Sequence, residues 1–253
     1  MITVEEYVDQ LRLSRQIVKT IASNSYSRDD PTYPAEVENR IRESLLHKES
    51  IRLTLLWGGS KIGMYADQAD QISLDYIATL QDTLHGLATP SQFTLLFCDM
   101  HHVLVNGILY EETTKYHSSL IPMVQERNLK MIRLSDILGN QGIEDYSDKD
   151  ARRKSHEVFA SPKSLEKLCK AANKHSQYKG KLAAQDIARV YVEAELYFLK
   201  RLNEEDPRRL FCSFSDPEIQ RPIAEAATIP MFYLHSAGKG HHECPWYSKR
   251  EKN

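Results

Sequence analysis

The sequence predicts an α/β fold with a Rossmann-like parallel sheet flanked by helices. Two short runs of apolar, β-prone residues at 51–57 and 93–98 predict buried strands, and each run stops at a turn signal. Stretches with apolar residues at helical spacing lie before, between and after these runs. Such alternation is typical of parallel sheets, because each crossover helix returns the chain to the same end of the sheet.

The helices are predicted from apolar spacing and from end signals. Within 67–86, for example, Ile72, Tyr76 and Leu80 recur on one side of a helix. Ser161-Pro162 supplies an N-cap residue and a first-turn proline, which together start a helix. The predicted helices cover residues 1–21, 35–48, 67–86, 112–128 and 182–203, and a further helix begins at 161.

The strands are predicted from short apolar runs that end at turn or polar residues. Gly58-Gly59 ends the first strand, and Asp99 follows the second. The segment 24–34 is predicted to be a loop because of its Asn, Ser, Asp and Pro content. The predicted strands cover residues 51–57, 93–98, 131–134, 210–214 and 229–234.

Composition excludes several classes of protein. The 253 residues include 33 basic and 35 acidic side chains, and 41% of the residues are hydrophobic, which is ordinary for a globular protein. No uncharged apolar run approaches the roughly 20 residues that span a bilayer, and the N-terminus lacks a signal-peptide pattern. We expect one domain over residues 1–253, in the cytoplasm, with reduced cysteines and neither a membrane nor DNA as partner. The sequence does not predict an oligomeric state.

The glycine turn after the first strand presents a candidate nucleophile. Ligands of open α/β sheets bind beyond the carboxyl ends of the strands. Gly58 and Gly59 allow a sharp turn, from which Ser60 emerges as an exposed hydroxyl that can accept an acyl group. A simple glycine turn with a helix-capping serine explains the same pattern. A Walker loop does not, because the glycine spacing differs.

A phenol and a carboxylate are predicted to share one face of a later helix. Tyr191 and Glu195 are separated by one helical turn. On an apolar face this pair could hold an ammonium group and relay protons. The alternative is a core tyrosine beside a surface glutamate.

A basic stripe is predicted on the helix that begins at Ser161-Pro162. Such a stripe can follow a phosphate backbone, or it can be an ordinary solvated face. Only Glu166 offers neutralisation on that helix. The stripe consists of Lys163, Lys167, Lys170 and Lys174.

Three histidines and a cysteine near the C-terminus are candidate zinc ligands. The spacing of the candidate ligands matches no standard zinc finger, and a second ligand pair is missing. We therefore expect no metal ion. The candidates are His235, His241, His242 and Cys244.

These motifs together resemble the tRNA-dependent cyclodipeptide synthases (CDPS), which have a fold like that of class I aminoacyl-tRNA synthetases. Gly58-Gly59-Ser60 matches the nucleophile motif of that family, and Tyr191-Val-Glu-Ala-Glu195 matches its Tyr-x-x-x-Glu pair. The segment 96–101 resembles its strand ending in Asp-x-His, and 132–137 resembles the strand before its central linker. The resemblance covers roughly residues 50–240, with the motifs in the family's order.

The resemblance implies an aminoacyltransferase that uses two aminoacyl-tRNAs per cycle and neither ATP nor another cofactor. Ser60 would take the first aminoacyl group, and attack by the second amine and ring closure would yield a cyclic dipeptide, a secondary metabolite. Glu195 would bind the α-ammonium and shuttle a proton, and Tyr191 would hydrogen-bond the same group. The lysine stripe would bind the tRNA acceptor arm. The expected substrate-binding residues are Gly58, Gly59, Asp99, Tyr233 and His235.

The chain departs from the family pattern at two places. Gly63 stands where the family often has Asn, and Leu196-Tyr197 follows Glu195 where a proline is common. These departures suggest a divergent branch, such as the arginine-using fungal synthases. The sequence does not name the two amino acids that are joined.

A second family, the isocyanide synthases, also has a related α/β core. Its features are a lysine after the first strand, an acidic segment opening a helix, and a late Pro-Trp. Lys61, the segment 67–70 and Pro245-Trp246 fit those features. Such an enzyme would join an amino acid to a pentose phosphate carbon donor. It ranks second, because it leaves Tyr191 and Glu195 without a task.

Overall fold

The fold is built on one six-stranded sheet with helices on both faces. The computed structural model describes residues 3–23, 25–58, 65–87, 90–139, 148–175 and 183–235. The strands are β1 (Ser27–Thr32), β2 (Ile51–Trp57), β3 (Ser91–Phe97), β4 (Lys130–Arg133), β5 (Leu210–Ser213) and β6 (Met231–Leu234). The helices are α1 (Val4–Ile21), α2 (Pro34–Leu46), α3 (Gln68–His85), α4 (Asp99–Leu104), α5 (Tyr110–Gln125), α6 (Leu134–Leu138), α7 (Lys149–Val158), α8 (Pro162–His175), α9 (Ala184–Glu205) and α10 (Pro217–Ala227). Within these ranges, no helix is both long and apolar enough to cross a membrane.

The strand order confirms the predicted Rossmann-like sheet. The order is β1-β6-β5-β2-β3-β4, and every pair is parallel except β1 with β6. From the central strand β2 the chain adds β3 and β4 on one side, then crosses back to add β5 and β6 on the other. The strand order therefore reverses between β2 and β5. In such sheets, ligands bind beyond the carboxyl ends of the strands at this switch point.

Two apolar layers cover the sheet, one on each face. Leu53 and Leu55 of β2 pack in the same cluster as α1, α2, α3 and α5. Leu56, the next residue on the strand, packs in the other cluster with α7, α8, α9 and α10. This alternation follows from the two-residue period of a strand. Full burial of a leucine is worth about 2 kcal/mol, so both apolar layers contribute to the stability of the sheet.

The edge strand β1 corrects the prediction of a loop over 24–34. Its outer residues Asp29 and Asp30 are exposed, and its pairing with β6 has register shifts on both sides of Asp29. An edge strand pairs its backbone on one side only, so it tolerates Pro31 and needs no alternating apolar pattern. The composition of the segment therefore hides the strand.

Four helices were not predicted: α4, α6, α7 and α10. Helix α7 illustrates the reason, because it buries only three small side chains: Ala151, Ser155 and Val158. Its start is set by the Asp148 side chain, which accepts a hydrogen bond from the Ala151 N–H at 2.7 Å. A narrow buried stripe on a highly charged segment gives little periodic signal.

A buried polar network fixes the start of α3 beneath the carboxyl end of β2. Asp67 and Asp70 form a capping box, in which each carboxylate accepts a backbone N–H of the other residue. Asp70 also accepts a hydrogen bond from the Tyr116 hydroxyl at 2.8 Å, and that hydroxyl accepts one from the Trp57 indole at 3.3 Å. The network ties α3 and α5 to the last residue of β2.

Replacing Asp70 by alanine is expected to destabilise the protein by about 2–3 kcal/mol, because it removes the acceptor of the Asp67 N–H in the capping box and leaves a buried phenol without its acceptor. Urea unfolding monitored by circular dichroism measures the change. The matched control is Asp82→Ala, an exposed aspartate on the same helix, which should cost less than about 0.5 kcal/mol. Equal effects of the two substitutions would show that the network contributes nothing.

Candidate active site

The switch point of the sheet is where Gly58 leaves β2. The Cys98 N–H, just past β3, donates to the Trp57 carbonyl at 3.1 Å, so the two strand ends stay paired to their last residues. A Cβ placed on Gly58 would lie 3.7 Å from the Cys98 Cβ, in ordinary van der Waals contact. Gly58 itself is exposed. Gly59, Ser60 and Lys61 lie outside the described residues, so their placement stays a prediction.

The side chains of Tyr191 and Glu195 meet on the inward face of α9. The phenol is hydrogen-bonded to the carboxyl group, as expected for residues one turn apart. Glu195 is only 7% exposed, so the alternative of a surface glutamate is wrong. The amide of Gln220, on α10, donates to Glu195 Oε2 at 3.4 Å, and this residue is 1% exposed.

Burial gives Glu195 an acidity suited to proton transfer near neutral pH. Burial raises the pKa of this carboxyl from 4.5 to about 7, against the opposing effect of hydrogen bonds from Gln220 and Tyr191. Burial also raises the pKa of Tyr191 well above its usual value, and the nearby Glu195 charge adds to this. The phenol therefore stays protonated as a donor while the carboxyl group exchanges its proton.

Cys98 connects the glycine turn to this pair. Its thiol is buried, and its pKa is raised well above the usual value by burial and then by the charges of Glu195 and Asp99. Because a Cβ placed on Gly58 would lie against Cys98, and Cys98 acts electrostatically on Tyr191, the end of β2 and the phenol–carboxyl pair lie near each other at the carboxyl ends of β2 and β3. The spacing of Gly58 and Glu195 along the chain gives no hint of this proximity.

His101 of α4 closes another side of the cluster. Its ring packs edge-to-face on Tyr191, with ring centroids 4.8 Å apart, and lies near Phe198 with centroids 6.4 Å apart. Burial lowers the pKa of His101 to about 3, so the imidazole is neutral. Among the described residues, its Nε2 has no hydrogen-bond partner. In the sequence, His101 stands out only as the end of an Asp-x-His pattern.

Asp99 has a structural task in the fold. Its carboxylate accepts hydrogen bonds from both the backbone N–H and the hydroxyl of Ser135, the former at 3.1 Å. Asp99 thereby fastens the end of β3 to the start of α6. This binding accounts for its burial without a substrate, and a substrate-binding role stays a prediction.

Tyr233 and His235 are held by contacts with the β1 side of the sheet. The Tyr233 hydroxyl is hydrogen-bonded to Thr32, and the Arg221 guanidinium lies 4.8 Å from the ring centroid. The ring of Tyr233 is fully buried. The backbone N–H of His235 donates to the Tyr26 carbonyl at 3.1 Å. These contacts explain both residues as parts of the β1–β6 edge, and their predicted place in a substrate pocket stays untested.

The lysine stripe on α8 is neutralised more fully than the sequence indicated. Lys163 Nζ lies 2.7 Å from Glu218 of α10, and Lys167 is paired with the same carboxylate and, at 3.5 Å, with Asp216. Lys170 pairs with Glu166 at 2.6 Å, as the sequence suggested. Exposed ion pairs of this kind are worth at most about 1 kcal/mol, so phosphate groups could replace the carboxylates. The side chain of Lys174 lies outside the description.

The metal-binding candidates are only partly covered. His241, His242 and Cys244 lie outside the described residues, as does Pro245-Trp246. In the ranges that the structure describes, no group of three or more His, Cys, Asp or Glu side chains is arranged to hold a metal ion.

The chain shares its fold with the PvcA protein from Pseudomonas aeruginosa. That structure has a TM-score of 0.64 and 16% sequence identity, and the match covers 93% of this chain and 87% of PvcA. No protein-family model and no curated protein matches the sequence.

Two further structures match at lower TM-scores. Tyrosyl-tRNA synthetase from Archaeoglobus fulgidus matches with a TM-score of 0.49 and 15% identity, over 91% of this chain and 64% of its own. A CDPS from Fluoribacter dumoffii matches with a TM-score of 0.44 and 11% identity, over 74% of this chain and 90% of its own.

The raised pKa of Glu195 is expected to make stability depend on pH. The folded protein binds the Glu195 proton more tightly than the unfolded chain does. The contribution of this proton to the free energy of unfolding is therefore complete below pH 4.5 and is lost as the pH rises to about 7. The free energy of unfolding of the wild type, relative to Glu195→Gln, should therefore fall by roughly 3 kcal/mol across that range. Urea unfolding at a series of pH values measures it.

The matched control is Glu193→Gln, which removes a carboxylate from the same helix outside the cluster, where Glu193 faces Ser155 at 3.4 Å. Subtracting its pH trend removes contributions from other groups, including the buried histidines. Equal trends in the two variants would contradict the assignment of a neutral, buried acid at Glu195.

Proposed function

We propose that the protein is an aminoacyltransferase of the CDPS type, which joins two aminoacyl groups from aminoacyl-tRNAs into a cyclic dipeptide through an aminoacyl-Ser60 intermediate. The observation that supports this most is the buried Glu195, held by Tyr191 and Gln220 beside the strand end from which Gly58-Gly59-Ser60 departs. A carboxyl group with a pKa of about 7 next to a phenol can both bind an ammonium and exchange a proton.

In the first step, the Ser60 hydroxyl oxygen attacks the ester carbonyl of one aminoacyl-tRNA. The ester C–O bond breaks, the tRNA 3′ or 2′ hydroxyl leaves with a proton, and the aminoacyl group stays on Ser60. Glu195 and Tyr191 hold the α-amino group of this intermediate. Backbone N–H groups at Gly58 and Gly59 stabilise the tetrahedral oxyanion.

In the second step, the amine of another aminoacyl-tRNA attacks the aminoacyl-Ser60 carbonyl. A peptide bond forms, Ser60 regains its proton, and the dipeptide remains esterified to the second tRNA. Its free amino group then attacks that ester and closes the ring, so the second tRNA leaves. Glu195 accepts a proton from the attacking ammonium and can return it to a leaving oxygen, which a group with a pKa of about 7 does without a large free-energy cost.

The α8 stripe is the proposed contact for the tRNA acceptor arm. Lys163, Lys167 and Lys170 are exposed enough for phosphates to approach, and their carboxylate partners are exposed as well. Contacts to phosphates position the RNA without reading its sequence. The tRNA dependence is part of the proposal, as are its setting in secondary metabolism and a cytoplasmic location.

A second candidate function is an isocyanide synthase. The isocyanide synthases have a related α/β core, and this chain matches the fold of PvcA over 93% of its length. The acidic pair Asp67 and Asp70 does open a helix, as this hypothesis expects, but both side chains are engaged in capping α3. The hypothesis assigns no task to the Tyr191–Glu195 pair, so we rank it second.

Expression in bacteria tests the proposal directly. The wild-type protein should release a diketopiperazine into the medium, detected by mass spectrometry, and Ser60→Ala should lower its yield roughly 100-fold or more without affecting folding. Purified wild type should also retain a labelled aminoacyl group that Ser60→Ala does not. Ser118→Ala, an exposed serine on α5, is the matched control and should behave as wild type.

A ribonuclease arm distinguishes the two candidate functions. Ribonuclease treatment of an extract of the expressing bacteria should abolish product formation by a CDPS and leave product formation by an isocyanide synthase unchanged. A product that persists after treatment, or a label retained by Ser60→Ala, would refute the proposal.

Removing the stripe charges should weaken tRNA binding. The triple variant with alanine at Lys163, Lys167 and Lys170 should lower the slope of log affinity against log salt by roughly two units, since fewer counterions are released on binding. Filter binding at several salt concentrations measures the slope. The control removes the same charge from α1 at Arg12, Arg15 and Lys19, and it should leave the slope unchanged. Equal slopes for both triple variants would mean that the stripe is ordinary surface.

A further inference from the structure

Gln220, on α10, is hydrogen-bonded to the catalytic carboxyl group proposed above. Its Nε2 donates to Glu195 Oε2 at 3.4 Å, and the two side chains are 1% and 7% exposed. A buried side chain amide is costly unless it is paired, so its presence here requires an explanation beyond packing. The neighbouring α10 residues that fill the core, Ile223 and Ala224, are apolar.

The fold holds the Gln220 amide in place before any substrate arrives. Asp216 caps α10 by accepting the Glu218 N–H at 3.0 Å, and the Gln220 N–H donates to the Asp216 carbonyl at 2.9 Å. The same first turn of α10 is paired with Lys163 and Lys167 of α8. The first turn of α10, which positions Gln220, is therefore fixed by the Asp216 cap and by the ion pairs of Glu218 with α8.

We propose that Gln220 is a positioning residue for Glu195, which orients the carboxyl group and stabilises its ionised form so that it can hold an amino group and exchange a proton. The role of the carboxyl group in this inference rests on the proposed aminoacyl transfer. The amide occupies Oε2 and thereby limits rotation of the carboxyl group. The amide is a neutral donor, so it favours the carboxylate without cancelling its negative charge. An arginine or a lysine would cancel that charge.

The other groups that the structure describes around Glu195 supply no positive charge to stabilise its carboxylate. The Tyr191 phenol on α9 donates a hydrogen bond, and the Cys98 thiol and the His101 imidazole are neutral at physiological pH. Asp99 is bound by Ser135. Among these neighbours, no cation faces the carboxyl group, so hydrogen bonds must supply the stabilisation of its ionised form. Without Gln220, burial would act against Tyr191 alone and the acid would stay protonated to higher pH.

A double-mutant cycle between residues 220 and 195 tests this. The variants are Gln220→Met, which keeps the size of the side chain and removes its donor, Glu195→Gln, and the double variant, each unfolded with urea at pH 5.5 and pH 8.5. The coupling should be roughly tenfold in the unfolding equilibrium constant at pH 8.5, where Glu195 is ionised, and several-fold smaller at pH 5.5. A coupling that is absent, or equal at both pH values, would overturn the proposal, because packing alone does not depend on protonation.

Turnover gives the second measurement, and it separates this inference from the proposed function. Gln220→Met should lower kcat about tenfold with KM for aminoacyl-tRNA changed less than about threefold, and its pH–rate profile should move to higher pH. Gln220→Glu should move the profile further, since two carboxyl groups would share the site. If the wild type forms no cyclic dipeptide, the proposed function fails, and the pH-dependent coupling still decides the role of Gln220. An unshifted profile in an active Gln220→Met enzyme would refute it.

Discussion

The protein depends on one unusual interaction, a carboxylic acid buried at the carboxyl ends of a parallel sheet and held by two neutral hydrogen-bond donors. Burial works against the charge of Glu195, while Tyr191 and Gln220 work in its favour, and the balance places its pKa at about 7. With only one of the two donors, or with a cation paired to the carboxylate, the pKa of Glu195 would move away from neutral pH. A group poised in this way suits proton transfer more than it suits stability.

The topology of the sheet explains why this acid lies where it does. The order of the strands reverses between β2 and β5, and helix α9 precedes β5 while α10 follows it. The two helices that supply Glu195 and Gln220 therefore flank the same strand. The glycine turn leaves β2 on the other side of the switch point, next to Cys98. The buried acid therefore lies at the position where ligands bind in sheets of this kind.

Much of the fold could be predicted from local sequence, because apolar spacing sets the helices of the core and short apolar runs set the parallel strands. The edge strand β1 could not, since its pairing is made by backbone groups and its side chains are polar. The Tyr191–Glu195 pair was accessible because helical geometry alone brings residues one turn apart together. Gln220 and Cys98 join that pair only through tertiary packing, and the partners of Lys163 and Lys167 come from α10. Contacts between distant segments leave no periodic trace in the sequence.

The central claim is that Glu195 is a buried acid that titrates near neutrality. It is tested most directly by NMR titration of the side chain carboxyl carbon in protein labelled with ¹³C at glutamate, with Glu195→Gln used to assign the signal. The account predicts a midpoint at about pH 7 for this signal. A midpoint near 4.5, the ordinary value for a glutamate, would contradict it.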